Sequence, residues 1–444
     1  MHTERKPIVN HQESRLILHL TRYGLPVIIL LFYLTASLEF DYTPESTYHF
    51  LKVAGDPSFV HEADSSPSPL WQFFIAPASW FSLDAVRWAK VLSMLWSSIG
   101  IVCLYLLAVE LGGDRLLALL VALPITLHPW MLQVGPAGSA LSIAMPLSLA
   151  VLWLMKRGRP VIGAILAGLC TLVFWQAVGL LAVLLSDLFV VPRHSRHSWQ
   201  RIMTLALGYG AGLLPWAVYA GLSHLPLLPV LLPLGEIPPP SIFEIVVLLL
   251  LLGLAGGGLL LASTWVRSER GVAQDGLGIW LWMIWLLAAA VAGGSELASL
   301  GVPLLLVYAF LGARILLKAL GGERILYTAL IGICGLMLLQ QQMHMGATVK
   351  PIMQQTSETT GQLRSASLWL REHASGRETV ATERPWVVSY LTRMEVRSID
   401  SPQSVDSDFL VTSGAAAMGY LLVYEPPLPG RWSAARSVAV WRKE

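Results

Sequence analysis

The sequence predicts an α-helical polytopic membrane protein of about eleven transmembrane helices, ending in a small C-terminal α/β domain. Three observations carry this. Of the 444 residues, 55% are hydrophobic and only 13% charged, about half the charged share of an ordinary soluble domain. The charges cluster in the N-terminal arm, in short gaps between apolar runs and after Gln340, as expected where an ionisable group at mid-bilayer depth is costly. Basic residues also alternate from gap to gap, the signature of threading through a membrane.

The apolar runs read as spans are 25–38 (extending back to about 16), 88–109, 116–132, 141–155, 161–174, 178–191, 202–222, 242–265, 277–292, 297–311 and 325–343. Several fall short of the ~20 residues of a perpendicular crossing, so tilted or broken helices are expected. Arg5, Lys6, Arg15, Arg22, Arg115, Lys156, Arg157, Arg159, Arg193, Arg196, Arg201, Arg267, Arg270, Arg314, Lys318 and Arg324 fall on one set of gaps. The opposite set holds only Lys52, Arg87 and Lys90 before the tail. The positive-inside rule then puts the N-terminus in the cytoplasm and the C-terminal domain outside the plasma (inner) membrane. Residues 1–22 form a cytoplasmic arm, 23–345 the transmembrane domain and 346–444 the extracytoplasmic domain. No small-residue cleavage site follows the first run, which reads as an uncleaved span.

A net charge of +2 gives no reason to expect a nucleic-acid partner. Cys103, Cys170 and Cys334 lie within apolar runs, spaced for neither metal nor disulfide, and read as small lipid- or core-facing residues. The first external loop, 39–87, is long enough to be functional. Within it, 48–54 and 70–81 read as short interfacial helices, with Trp71, Phe73, Phe74, Trp80 and Phe81 suited to the headgroup region. Prolines make 223–241 an irregular or re-entrant external loop. In the tail, 359–375 has helical periodicity with Leu363, Ala366, Leu368, Trp369 and Leu370 as apolar positions. Strand-like pieces follow at 378–381, 395–399, 409–412, 420–423 and 438–441.

The first loop concentrates polar chemistry in Asp41, Glu45, His49, Lys52, Asp56, His61, Glu62 and Asp64. A carboxylate at the bilayer surface can act as a general base, or bind a divalent cation that bridges phosphate oxygens. Glu45, His49 and Lys52 share a face if their segment is helical. Solvated loop charge is the plainer alternative. Glu236 reads as merely solvated, and Ser295 with Glu296 as a helix cap. Asp187 lies near enough to a basic gap to snorkel towards it, and the 193–201 patch suits anionic headgroups.

The loop's opening acid with "STYHFLKVA", then "SPSPLWQFFIAP" and "AVRWAKVLSMLWSSIGIVCLYLLAVELGG", resembles the GT-C superfamily of membrane glycosyltransferases. The tail segment "ASLWLREHASGRETVATERPWVVSYLT" resembles the start of that family's C-terminal domains. The resemblance is strongest to the polyprenyl-phosphate-sugar-dependent branch related to protein O-mannosyltransferases and aminoarabinose transferases. It implies a polyprenyl-phosphate-linked sugar bound in a cavity between spans, and an acceptor (glycan, lipid or protein) at the external face. By position it makes Glu45, in "PESTYHF", the acid that deprotonates the acceptor or positions a metal. His128, Trp130, Gln133, Trp175, Gln176 and Trp71, with Asp41, His49 and Lys52, become candidates for the cavity wall; an interfacial belt of aromatic and polar residues is the plainer reading of the first five.

The sequence departs from the family in three places. Ser46 follows Glu45 where the family usually has a second acid. The stretch after the third span, "WMLQVGPAGSA", holds no acid, and "FWQAVG" lacks the Arg and Glu often found there. Glycosyl transfer (hexosyl or pentosyl) is the leading expectation. A non-catalytic GT-C-like scaffold, or a lipid-glycan-binding subunit of a cell-envelope assembly, is the alternative. A transporter or flippase ranks last, because no inverted repeat or paired broken helices are visible.

Overall fold

The computed structural model describes residues 68–81, 83–112, 115–190, 198–223, 323–375, 377–399, 407–413, 419–426 and 438–443, with scattered positions between 27 and 51 and at 307 and 309. Helices dominate up to residue 373. They are α1 (Pro69–Ile75), α2 (Pro77–Trp80), α3 (Ala85–Gly112), α4 (Arg115–Thr126), α5 (Pro129–Ala137), α6 (Leu141–Lys156) and α7 (Pro160–Thr171), then a 3-10 turn (Trp175–Val178), α8 (Gly179–Val190) and α9 (Ser198–Ser223). After these come α10 (Glu323–His344), a π turn (Met345–Val349) and α11 (Lys350–His373). The expected runs at 242–265, 277–292 and 297–311, and the loop at 223–241 with Glu236, lie outside the described residues apart from 307 and 309.

Among the described residues, Ala85–Leu111 is long and apolar enough to cross a membrane unaided. The expected third span is broken: Arg115–Thr126 and Met131–Ala137 meet at 63°. Pro129, at the break itself, explains why no straight helix runs through this stretch, since it lacks a backbone donor. At 16 and 12 residues, α6 and α7 are shorter than a perpendicular crossing.

The bundle has an apolar core with a scatter of buried hydroxyls, and its outer surface is apolar as well. Val91, Leu95 and Ile99 project outward at every fourth position of α3, as do Met203, Leu207, Leu214 and Val218 on α9. Ser93, Ser97, Ser98, Thr126, Ser142, Ser148 and Thr171 are buried. In a soluble protein this pattern would expose a large apolar patch to water; against lipid it costs nothing. Most of these hydroxyls bond a carbonyl three or four residues back, as Ser98 does to Met94 and Thr171 to Ala167, whereas Ser93 reaches the Val134 carbonyl on another helix.

Helix α3 packs along α6, α6 along α7, and α7 along α9. The last pair approaches closely because both sides are small at four-residue spacing: Ala164 and Gly168 face Gly208 and Gly212. A Cβ on Gly168 would collide with the Tyr209 carbonyl oxygen, and one on Gly212 with the Ile165 carbonyl oxygen. At one end of the bundle Arg157 Nε meets Glu110 Oε2 at 3.1 Å, with the guanidinium 5.1 Å from the Trp153 ring centroid. Both charged side chains remain substantially exposed, so Arg157→Gln should cost no more than ~1 kcal/mol. Thermal unfolding in detergent should therefore shift only slightly, and a large drop would mean the pair closes the bundle.

The tail forms a five-stranded sheet from β1 (Thr379–Thr382), β2 (Glu395–Ser398), β3 (Phe409–Thr412), β4 (Tyr420–Tyr424) and β5 (Ala439–Lys443), in the order β2-β1-β3-β5-β4. β1 is parallel to β2 and β3, whereas β5 is antiparallel to β3 and β4. Helix α12 (Pro385–Thr392) crosses from β1 to β2. It falls where the sequence reading placed no element, because Val387, Val388 and Thr392 are poor helix formers. Pro385 at its first turn and the left-handed Arg393 (φ 62°) at its end are the cues that mark it. Helix α11 covers the sheet with Leu363, Ala366 and Leu370. Leu368, expected on that buried face, points outward and is 47% exposed.

Candidate functional site

The described parts of the long loop 39–87 are fastened at both ends to the bundle. At the near end, Thr47 Oγ1 donates to the Ala137 carbonyl at 2.6 Å. Leu51, one helical turn later, is buried in the bundle core. At the far end Ser68 Oγ donates to the Val173 carbonyl, and Leu70 N–H reaches the Leu172 carbonyl at 3.5 Å. This brings the segment of Trp71 beside the turn that carries Trp175 and Gln176.

Helix α5 receives the near end. Three hydroxyls from separate parts of the chain donate to its carbonyls: Tyr33 to Met131 at 3.2 Å, Ser93 to Val134 at 2.8 Å, and Thr47 to Ala137. The last carbonyls of a helix lack intrahelical partners, and here two of the donors supply them without water. The chain then turns at Gly138 (φ +68°), where a Cβ would lie 3.0 Å from Thr47 Cγ2 and 3.2 Å from Ala89 Cβ. Glycine satisfies both the backbone angle and the space.

The C-terminal domain closes on this region through α12. The Tyr390 ring lies 5.7 Å from that of Tyr48 at 59°, and it packs on the bundle cluster as well as on the tail's own core. Burial, and then the Asp84 carboxylate, push the Tyr390 phenol above its ordinary value, with Arg393 opposing them. A raised folded-state value means the stabilisation is complete below the unfolded pKa of about 10 and lost as pH rises through the folded value. Tyrosinate absorbance of the wild type minus that of Tyr390→Phe should therefore titrate later than a free tyrosine; ordinary titration would show that this contact does not persist in solution.

The expected site residues divide as follows. Asp41, Glu45, His49 and Lys52 lie outside the described residues, as do Asp56, His61, Glu62, Asp64, Ser295 and Glu296. Trp71 is not an interfacial residue: it is fully buried in the bundle, and its indole Nε1 has no hydrogen-bond partner among the described residues. Phe74 turns inward to meet Trp96 edge-on at 5.2 Å, while Phe73 and Phe81 are exposed as the headgroup reading requires. Gln176 is buried and Trp175 is 38% exposed on the same turn. His128 is half-buried at the bend before α5. Nine residues separate it from Ala137, about 13 Å of helix, so it is not brought to Thr47. Cys170 and Cys334 are buried and Cys103 is half-buried, all as free thiols. Among the described residues no three His, Cys, Asp or Glu side chains gather to hold a metal. Thr47, Ser68, Ser93, Tyr33 and Tyr390 were not singled out by sequence reasoning; the only cue was hydroxyls placed in or beside apolar runs.

No family model and no curated protein sequence matches the chain. Solved structures do. ArnT from Cupriavidus metallidurans in the apo state superposes with a TM-score of 0.58 at 12% identity, over 94% of this chain and 98% of that one. The same protein bound to undecaprenyl phosphate gives 0.56 over the same shares, again at 12% identity. The archaeal oligosaccharyltransferase AglB from Archaeoglobus fulgidus, in complex with an inhibitory peptide and a dolichol-phosphate, gives 0.52 at 11% identity, over 88% of this chain and 70% of that one. This chain shares its fold with these ArnT and AglB structures.

Proposed function

We propose that the protein transfers a sugar from a polyprenyl-phosphate donor to an acceptor at the external face of the plasma membrane, with Glu45 as general base. The observation that carries this is the near end-to-end match to ArnT, one of whose structures holds undecaprenyl phosphate. The anchoring of Thr47, two positions after Glu45, adds support, because a base acts only if its backbone is held within reach of the acceptor. In this reading Glu45 takes the acceptor's hydroxyl or amine proton. The freed lone pair attacks the anomeric carbon, and the bond from that carbon to the phosphate oxygen breaks. The polyprenyl phosphate leaves with the electron pair. Trp71, Trp175 and Gln176 line the donor's side, with Asp41, His49 and Lys52 around the base.

The same proposal takes in the full topology: about eleven spans, a cytoplasmic N-terminus, a transmembrane domain over 23–345 and an extracytoplasmic domain over 346–444. It agrees with the ends of α3, where Val86 meets the C-terminal domain and Glu110 pairs with Arg157 at the other extreme. Purified protein in liposomes, given radiolabelled polyprenyl-phosphate sugars, tests the reading. Glu45→Gln should lower transfer by about 10²–10⁴-fold while the protein remains monodisperse. Undiminished transfer would remove Glu45 from the mechanism.

A second reading is a scaffold that binds lipid-linked glycan without turnover. It is favoured by Ser46 beside Glu45, and by α5, which carries no acid and whose carbonyls are occupied by hydroxyls. Donor binding by the wild type with no transfer to any acceptor class would select it.

A further inference from the structure

Thr47 and Tyr48 are consecutive residues held by different bodies. Thr47 is tied to the bundle through Ala137, and Leu51 is buried there with it. Tyr48, only 6% exposed, belongs instead to the apolar core of the C-terminal domain, with Leu363, Leu370, Val387 and Phe409. Its ring meets Tyr390 on α12, and Tyr390 itself touches the bundle cluster. Thr47, Tyr48 and Leu51 thus lie within five positions of one another and are shared between two walls.

We infer that the C-terminal domain clamps the first external loop through the Tyr48–Tyr390 contact, so that these two tyrosines are positioning residues for that loop. Their consequence for sugar transfer rests on the Glu45 reading, since Glu45 lies three positions before Tyr48. Removing either ring leaves the near end of the loop held on its bundle side alone, by Thr47 and Leu51, and frees it to drift from the acceptor. The donor's lipid, bound among the helices, is untouched.

Hydrogen–deuterium exchange on the full-length protein in nanodiscs tests the clamp without any substrate. Tyr48→Ala and Tyr390→Ala should each speed exchange in peptides covering 41–56 by about tenfold, with 85–112 unchanged. Tyr48→Phe and Tyr390→Phe, which keep the rings, should match the wild type. In the transfer assay the alanine variants should lose kcat while KM for the lipid donor stays constant, and the phenylalanine variants should recover it. Unchanged exchange over 41–56 in both alanine variants overturns the clamp. If Tyr390→Ala also speeds exchange over 379–412, the tail has loosened as a whole, and Tyr48→Ala, which leaves the tail's chain intact, decides alone. Faster loop exchange in that variant, together with a wild type that transfers no sugar, keeps the clamp and removes the transferase reading.

Discussion

Gly212→Leu is expected to abolish the folded protein. Helices α7 and α9 touch through backbone at Gly168 and Gly212, and the obstacle to a side chain is a carbonyl oxygen in each case. Overpacking a core usually costs ~1–3 kcal/mol. Here the neighbour cannot rotate away, so the two helices must separate along their length. That loss is a large share of a typical stability of about 5–15 kcal/mol. Gly210 is the matched control, because a Cβ there meets nothing within 4 Å. Size-exclusion of the detergent-solubilised variants should show a monodisperse peak for Gly210→Leu and an aggregated one for Gly212→Leu. Equal behaviour would mean that the close crossing does not exist.

Gly138→Val should be the most damaging single change near the site. The left-handed backbone costs a side chain about 1–2 kcal/mol, and a β-branched one fits it worst. The new methyls would also enter the space of Thr47 Cγ2 and Ala89 Cβ, at 3.0 and 3.2 Å from the Cβ itself. The two effects can be separated. Gly158 has φ +69° with nothing within 4 Å, so Gly158→Val carries the backbone strain alone. Both variants should lower the thermal midpoint, whereas only Gly138→Val should detach the first loop and lose transfer activity. A comparable loss in Gly158→Val would assign the effect to backbone strain and not to the Thr47 contact.

What sequence could show follows from range. The strands of the tail were legible because apolar periodicity is local, and β3 falls at 409–412 as expected; of the expected spans, 88–109 coincides with a helix long enough to cross a membrane, Ala85–Leu111. The short apolar run at 116–132 made a broken third span an expectation, but nothing local in the run gives the angle of the break. Helix α12 was hidden because its valines are selected for contact with the sheet, against their own preference. Trp71 was misplaced because an aromatic in a membrane loop suits the headgroup region by composition alone, while its burial depends on Ser68 and Leu70 fastening α1 to the loop after α7. The small-residue crossing of α7 and α9 is written plainly as Ala164, Gly168, Gly208 and Gly212. Neither pair says which helix it meets.

The three hydroxyl donors on α5 have a consequence for synthesis. Tyr33 precedes its acceptor Met131 by 98 residues. At about 5–20 residues per second, its phenol enters the bilayer some ~5–20 s before that carbonyl is made. During that interval the phenol needs a temporary hydrogen-bond acceptor, from a lipid headgroup, water or the insertion machinery. Tyr33→Phe removes that requirement together with the final bond. A variant that inserts faster yet yields a less heat-resistant product would separate the cost of waiting from the benefit of the finished contact.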